Sequence, residues 1–255
     1  MSFGTLSCFS QALGRYQSYA ILLPECDCSG PYPVLYLLHG ASDDHLAWMS
    51  WTSLSRYVRK LPLTVVMPNS ELGFSVNNFN GNRYEDAFFE LMKHVSSCYN
   101  VKTGRENTAV GGLSMGGYGS LKLGLKYPDL FGSVGAHSSA VAIARPDFNA
   151  DAAHLEMLLR VFGPPDNPGR LKEDPFALAE KADRNRFPAL YFDCGTEDQF
   201  LADNRKFHEL LVQLGLPHRY SEFAGGHDWN YWDRHIQDSL SHHVRVLKIQ
   251  AEGAI

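Results

Sequence analysis

The chain has 255 residues, enough to bury one full α/β core, and no Pro/Ser/Gly-rich linker or block of charge divides it. Its 23 Lys and Arg against 28 Asp and Glu give a net charge of −5 with no long basic cluster, so the electrostatic basis for binding nucleic acid or an anionic membrane is missing and a small-molecule ligand is expected. No apolar run reaches spanning length and the first residues lack a basic and an apolar signal region, which leads to the expectation of a cytoplasmic protein without membrane insertion.

In chain order, Phe3 to Ser10 and Tyr16 to Leu23 alternate in polarity around a turn at Ala12-Leu13-Gly14-Arg15, predicting an antiparallel hairpin at one sheet edge. Pro24 to Pro33 reads as a loop. Val34-Leu35-Tyr36-Leu37-Leu38 is a continuous apolar run, the signature of a strand buried on both faces, and it ends in His39-Gly40-Ala41. Trp51, Leu54 and Val58 predict a helix over Trp48 to Lys60, and Leu63 to Met67 a second buried strand. Glu71 to Arg83 is aperiodic loop; Tyr84, Phe88, Leu91 and Val95 then mark one face of an amphipathic helix.

The run Thr108 to Val110 leads into a glycine-rich stretch, and a helix is predicted from Ser120 to Tyr127, stopped by Pro128. Gly132 to Ala136 is a short strand. From Val141 to Phe187 the alternation weakens: a helix over Asp151 to Phe162 is followed by a loop from Gly163 to Gly169. An insertion at a strand's carboxyl end lies over the ligand crevice of an α/β sheet, so residues 141–187 are expected to form a small cap. Ala189 to Gly195 is a strand, Leu201 to Leu214 a helix closed by Gly215, Arg219 to Phe223 the last strand, and Tyr231 to Ile249 an amphipathic closing helix. The whole predicts one α/β domain over 1–255, with a mostly parallel sheet, an antiparallel N-terminal hairpin and helices on both faces. The five cysteines form neither a disulfide framework nor a zinc pattern; they are expected to be reduced thiols, with Cys98 and Cys194 in the core.

The chemistry concentrates in Gly112-Leu113-Ser114-Met115-Gly116. A strand that turns sharply into a helix tolerates only glycine two residues either side of the turning serine, whose hydroxyl is then exposed at the strand's carboxyl end. Ser114 is the candidate nucleophile, and the Met115 amide at the helix start is a candidate oxyanion donor. A serine needs a base, and the base needs a carboxylate to hold its tautomer. His227 follows the last strand behind Gly225 and Gly226 and is the candidate base. Asp193, Glu197, Asp198 and Asp203 compete as the acid; Asp198, in the loop after its strand, is preferred, with Glu197 its main rival. The turn after His39 offers the Ala41 N–H as second oxyanion donor, with Gly40 allowing close approach. Asp43 and Asp44 could suggest a metal, but one of them bonding the oxyanion loop is the preferred reading, and no cofactor or metal is expected.

Leu37-Leu38-His39-Gly40 with Asp43, Asp44 and Trp48, Gly112-Leu113-Ser114-Met115-Gly116-Gly117, and Gly225-Gly226-His227-Asp228-Trp229 with Trp232 together resemble the esterase D-like branch of the α/β-hydrolases, akin to carbohydrate esterase family 1. The branch includes tributyrin, feruloyl and acetylxylan esterases, S-formylglutathione hydrolases and antigen 85 mycolyltransferases. The small intracellular tributyrin esterases are the nearest type, echoed also by Phe9 to Arg15 and Asp174 to Ala179.

The resemblance implies an α/β-hydrolase fold, a Ser114, Asp198 and His227 triad, an oxyanion hole from the Ala41 and Met115 amides, and a substrate pocket with His39, Gly40 and Trp229, although Trp229 is equally suited to core packing. It implies a serine carboxylesterase acting on short-chain acyl esters through an acyl-enzyme. Rivals within the class are an acyltransferase and an S-formylglutathione thioester hydrolase; outside it stands a non-catalytic binding module. Homo-oligomer formation is left open.

Overall fold

The computed structural model describes residues 1–25, 29–148 and 152–250. Strand β1 (Ser2–Ser10) turns at Gly14, whose φ of 64° suits glycine, into β2 (Arg15–Leu23), and the two pair antiparallel from Ser2 opposite Leu23 to Ser10 opposite Arg15. β2 is also antiparallel to β4 (Thr64–Pro68). The rest of the sheet is parallel: β3 (Val34–Leu38), β5 (Thr108–Leu113), β6 (Ser133–His137), β7 (Ala189–Gly195) and β8 (His218–Phe223), in the spatial order β1-β2-β4-β3-β5-β6-β7-β8.

The unbroken apolar run of β3 is explained by its two coverings. Val34, Tyr36 and Leu38 face a core layer shared with Phe88, Leu91, Leu121 and Phe207, whereas Leu35 and Leu37 face Trp48, Leu54, Ile236 and Leu240. The first layer is built by α3 (Tyr84–Cys98), α4 (Met115–Lys126), α6 (Pro175–Glu180) and α7 (Leu201–Gln213); the second by α1 (Ala47–Trp51), α2 (Leu54–Tyr57) and α8 (Trp229–Val246). The chain moves from β3 to β4 on one side and returns to place β5 on the other. That reversal opens a crevice beyond the carboxyl ends of β3 and β5.

Several elements differ from expectation. Trp48 to Lys60 is two short helices, α1 and α2, because Thr52 is extended, its hydroxyl bonds the Trp48 carbonyl and the Leu54 N–H, and the Ser53 N–H goes to Asp233 Oδ1 at 2.7 Å. Helix α4 starts at Met115 rather than Ser120, since its early glycines are required for close packing. Cys98 is exposed at the end of α3, while Cys194 is buried as expected. Cys26 and Cys28 lie outside the described residues. Between β6 and β7 come α5 (Ala152–Phe162), a 3-10 turn at Pro168–Lys172 and α6. The last two were missed, although Asn167-Pro168 and Asp174-Pro175 are a capping side chain followed by proline at the first helical position. Leu158, Val161 and Phe162 of α5 pack on Phe74, Met115 and Tyr118 above the crevice. No helix among the described residues is long and apolar enough to cross a membrane.

One buried charge network braces the rim. Lys122 of α4 is fully buried and gives Nζ–H bonds to Glu85 Oε2 at 2.5 Å and to the Ser75 carbonyl; Lys126 spans Glu85 and Glu173 Oε1, the latter at 2.7 Å. Burial pushes the Glu85 carboxyl up, but the two lysines outweigh it and hold the group below its ordinary range. Removing Lys122 leaves the buried Glu85 carboxylate to Lys126 and Tyr127 and takes the donor from the Ser75 carbonyl. Lys122→Met is therefore expected to lower unfolding stability by about 3 kcal/mol in urea titrations, with the m-value unchanged.

Candidate active site

β5 ends at Leu113 and α4 begins at Met115, so Ser114 alone makes the turn, at φ 52° and ψ −115°. The backbone around it leaves no space for side chains: a Cβ on Gly112 would stand 2.7 Å from the Leu38 and Gly116 carbonyl oxygens, and one on Gly116 2.5 Å from that of Leu38. The Ser114 N–H donates to the His137 carbonyl of β6 at 2.9 Å, and the Ser114 carbonyl accepts from Tyr118 N–H at 2.9 Å and Ala140 N–H at 3.2 Å. An unfavourable backbone conformation persists here because both neighbouring strands hold it.

His227 and Asp198, the candidate base and acid, are brought in by the loops after β8 and β7. Gly225, at φ 138°, receives the Glu197 N–H on its carbonyl at 3.0 Å, and Gly195 packs so closely on Gly225 that any Cβ would clash at 2.2 Å. Across this contact His227 Nδ1 lies 2.9 Å from Asp198 Oδ2, and His227 Nε2 lies 3.0 Å from Ser114 Oγ. An ionised carboxylate only accepts, so Nδ1 carries the proton and Nε2 is free to accept the Ser114 hydroxyl. The rings of Phe200 and Trp232 flank His227 edge-on at 5.2 and 4.9 Å.

Burial alone would raise Asp198, yet hydrogen bonds from His227, the Phe200 amide and the Ser138 hydroxyl hold it below its ordinary range. It is an ionised carboxylate at neutral pH. Glu197, its rival, points its exposed side chain into solvent; Asp203 pairs with Lys206 at 3.1 Å, and Asp193 is buried against His137, Tyr191 and Tyr231.

The β3 turn supplies the opposite wall. Gly40 lies against Leu113, Ser114 and the Asp43 carboxylate, and its carbonyl accepts the Asp43 N–H at 3.3 Å. Burial pushes Asp43 above its usual value, with the neighbouring Gly40 backbone acting against the shift. Thus Asp43 braces the loop. His39 differs from expectation: its buried ring bonds the Gly40 carbonyl through Nδ1 at 2.7 Å and takes the Ser70 N–H on Nε2 at 3.0 Å, facing away from the crevice instead of lining it. Met115 opens α4, which puts its amide among the donors that a helix start leaves unpaired.

A cavity of about 320 Å³ sits over these groups, floored by Gly40, Ala41, Ser114, Met115 and His227. Phe74, Ala140, Ile143 and Met157 give it an apolar wall, and Trp229 lines it while also packing edge-on against Trp48 and Trp232 at 5.4 and 5.1 Å. Hollows of about 470 and 600 Å³ elsewhere hold no serine and histidine together. Chemistry, not size, selects the smaller one. Among the described residues no group of three or more His, Cys, Asp or Glu is placed to hold a metal ion. Sequence reasoning missed Ser138, whose hydroxyl accepts the Trp232 indole N–H at 3.1 Å; its only local signal is its place directly after the strand next to the elbow.

Comparison with known families agrees with this geometry, since residues 10–243 match the family described as “Putative esterase”. The chain belongs to the Esterase family. This esterase is 31% identical over 215 residues to an acetyl esterase of Caldicellulosiruptor saccharolyticus, covering 81% of each chain. Among solved structures it is similar to the substrate-bound fluorophosphonate-binding serine hydrolase F of Staphylococcus aureus, at 27% identity and a TM-score of 0.86, covering 95% of this chain and 98% of that one. It is also similar to the S-formylglutathione hydrolase FrmB of the same organism, at 27% identity and a TM-score of 0.83 over 95% and 98% of the two chains. The protein is a carboxylic ester hydrolase with an α/β-hydrolase fold.

The elbow's packing makes a direct prediction. Gly116→Ala forces a Cβ into the Leu38 and His39 carbonyls and is expected to cost about 3 kcal/mol of stability, with loss of ester turnover in whatever protein remains folded. Thermal melting beside an assay on a simple ester checks both.

Proposed function

We propose that this esterase hydrolyses short-chain acyl esters through Ser114, His227 and Asp198, by way of an acyl-enzyme. The observation that carries the reading is the continuous chain from Asp198 Oδ2 to His227 at 2.9 Å and from His227 to Ser114 Oγ at 3.0 Å, at the floor of the cavity. His227 takes the hydroxyl proton as Ser114 Oγ attacks the ester carbonyl, and Asp198 stabilises the imidazolium. The Ala41 and Met115 amides hold the tetrahedral oxyanion. His227 then protonates the departing alkoxide, and in the second half removes a proton from water so that hydroxide attacks the acyl carbonyl and Ser114 leaves with that proton.

The proposed acyl side is the wall of Phe74, Ile143 and Met157, with residues 141–187 as the cap that supplies most of it. In a cavity of about 320 Å³ shared by acyl and leaving groups, a short acyl chain fits and a long one must protrude. A second reading, thioester hydrolysis, is favoured by the likeness to FrmB of Staphylococcus aureus; it uses the same groups and is separated by comparing S-formylglutathione with oxygen esters.

Ser114→Ala is expected to lower kcat by roughly 10⁴-fold or more with an unchanged denaturation midpoint, and to lose the fluorophosphonate labelling that the parent shows. Near-normal turnover in this variant would sink the assignment, and a parent that neither labels nor turns over any ester would favour a binding role. Across p-nitrophenyl esters from acetate to decanoate, kcat/KM is expected to peak at the short end, and Ile143→Ala to shift the peak to longer chains.

A further inference from the structure

We propose that Asp43 is a specificity residue that turns away anionic esters: its carboxylate, beside Ser114 in a cavity lined by no Lys or Arg, selects uncharged substrates. The proposal rests on the Ser114 reading above and narrows its substrate class by charge, where that reading sets only the length of the acyl chain.

Position comes first. Asp43 lines the cavity that Ser114 floors and is half-buried, so its carboxylate is neither sealed inside the protein nor fully screened by water. The point at which a Cβ on Gly40 would stand lies 3.0 Å from Asp43 Oδ2 and 3.7 Å from Ser114 Cβ, so carboxylate and nucleophile flank one glycine. The backbone keeps them there. The Asp43 N–H donates to the Gly40 carbonyl at 3.3 Å, and the Trp48 indole N–H holds the end of β3 through the Leu38 carbonyl at 3.0 Å. Asp43 belongs to none of the ion pairs among the described residues. The residues outside the described ones contain no Lys or Arg that could neutralise it.

The surrounding charge has the same sign. The loops that follow β3, β7 and β8 carry Asp43, Asp44, Glu197, Asp198 and Asp228 before the next helix, and no Lys or Arg. Asp198 differs in kind from Asp43. Its side chain is fully buried, and the His227 ring meets its charge as that ring takes the Ser114 proton. Backbone amides meet the oxyanion in turn, whereas Asp43 gains no counter-charge at any stage. A carboxylate on the substrate therefore adds a repulsion that nothing in the cavity offsets. At an effective dielectric of roughly 20 to 40, two like charges about 8 Å apart lower binding and turnover by about 5- to 30-fold. S-Formylglutathione, with two carboxylates against one ammonium, falls on the disfavoured side.

The test compares 4-acetoxybenzoate with its methyl ester, which deliver the same acetyl group and differ by one negative charge on the leaving side. Assays at pH 8 keep Asp43 ionised although burial raises it. The parent is expected to favour the methyl ester in kcat/KM, and Asp43→Asn to narrow that preference about 10-fold. Because the readout is a ratio taken on one enzyme, any general loss from a disturbed oxyanion loop cancels; Asp43→Ser serves if the asparagine form folds poorly. Asp44→Asn, one residue on and exposed, is expected to move the ratio less than about 2-fold. Raising the ionic strength from about 0.01 to 0.5 M narrows the parent's preference and moves that of Asp43→Asn less. Equal turnover of the two esters by the parent, a ratio unmoved in a folded Asp43 variant, or an equal shift in Asp44→Asn overturns this inference and leaves the triad reading standing. Substantial turnover of the methyl ester by Ser114→Ala would instead overturn the triad reading, and this inference with it.

Discussion

The active site of this esterase depends on one close approach, that of the α4 backbone at Gly116 to the carbonyl oxygens that end β3. With 2.5 Å between a would-be Cβ and the Leu38 oxygen, the helix can start only where it does, one residue after the strand stops. That spacing forces Ser114 to a positive φ and turns its side chain out of the sheet. It also sets the first amides of α4 beside Gly40, at the point where the strand order reverses. Glycine at 112 and 116 is therefore a requirement of contact between two strands and a helix, and the exposed hydroxyl is its consequence.

The same residue types occur twice with different outcomes. His137 bonds Asp193 through Nδ1 at 2.8 Å and Ser239 through Nε2 at 2.8 Å, so the molecule contains a second serine, histidine and aspartate in hydrogen-bonded series. This second set is sealed between β6, β7 and α8, its Asp193 already receives two tyrosine hydroxyls, and the Ser239 hydroxyl also donates to the Ile236 carbonyl at 3.1 Å. It ties the closing helix to the sheet. The first set opens on a cavity and offers its serine to solvent-borne molecules. Access and spare hydrogen-bonding capacity, more than the identity of the residues, separate the arrangement proposed as reactive from the structural one.

How much of this was legible in the sequence follows from the range of the forces involved. Val34–Leu38 could be bounded to the residue because double burial leaves a continuous apolar run. The elbow could be read because its constraint is local and demands glycine. Asp198 and Glu197 could not be separated so cleanly, since the direction in which their loop turns is decided by Gly195 packing on Gly225, thirty positions along the chain. The break between α1 and α2 depends on Asp233, far beyond any local window. The family resemblance implies a pocket role for His39, but the Ser70 amide draws its ring the other way. Ser138 is invisible for the same reason: what gives it meaning is contact with residue 232.

Reaction and selectivity are thereby held by different means. The nucleophile's turn is set by backbone contacts that admit no side chain, whereas the apolar wall of the cavity is carried by segments without regular pattern. Phe74 and Ser75 both lie at positive φ, 51° and 52°, and the Ser75 carbonyl is anchored by the buried Lys122 ammonium. Through Lys126 the same network reaches Glu173, two residues before α6. The wall thus rests on ion pairs and on side chains of interchangeable kind, such as Ile143 and Met157, which can change in size without disturbing Gly112, Ser114 or Gly116. A fold organised this way keeps the Ser114 turn constant while the cavity wall varies, which under the proposed mechanism is the physical basis for expecting related chains with one chemistry and several substrates.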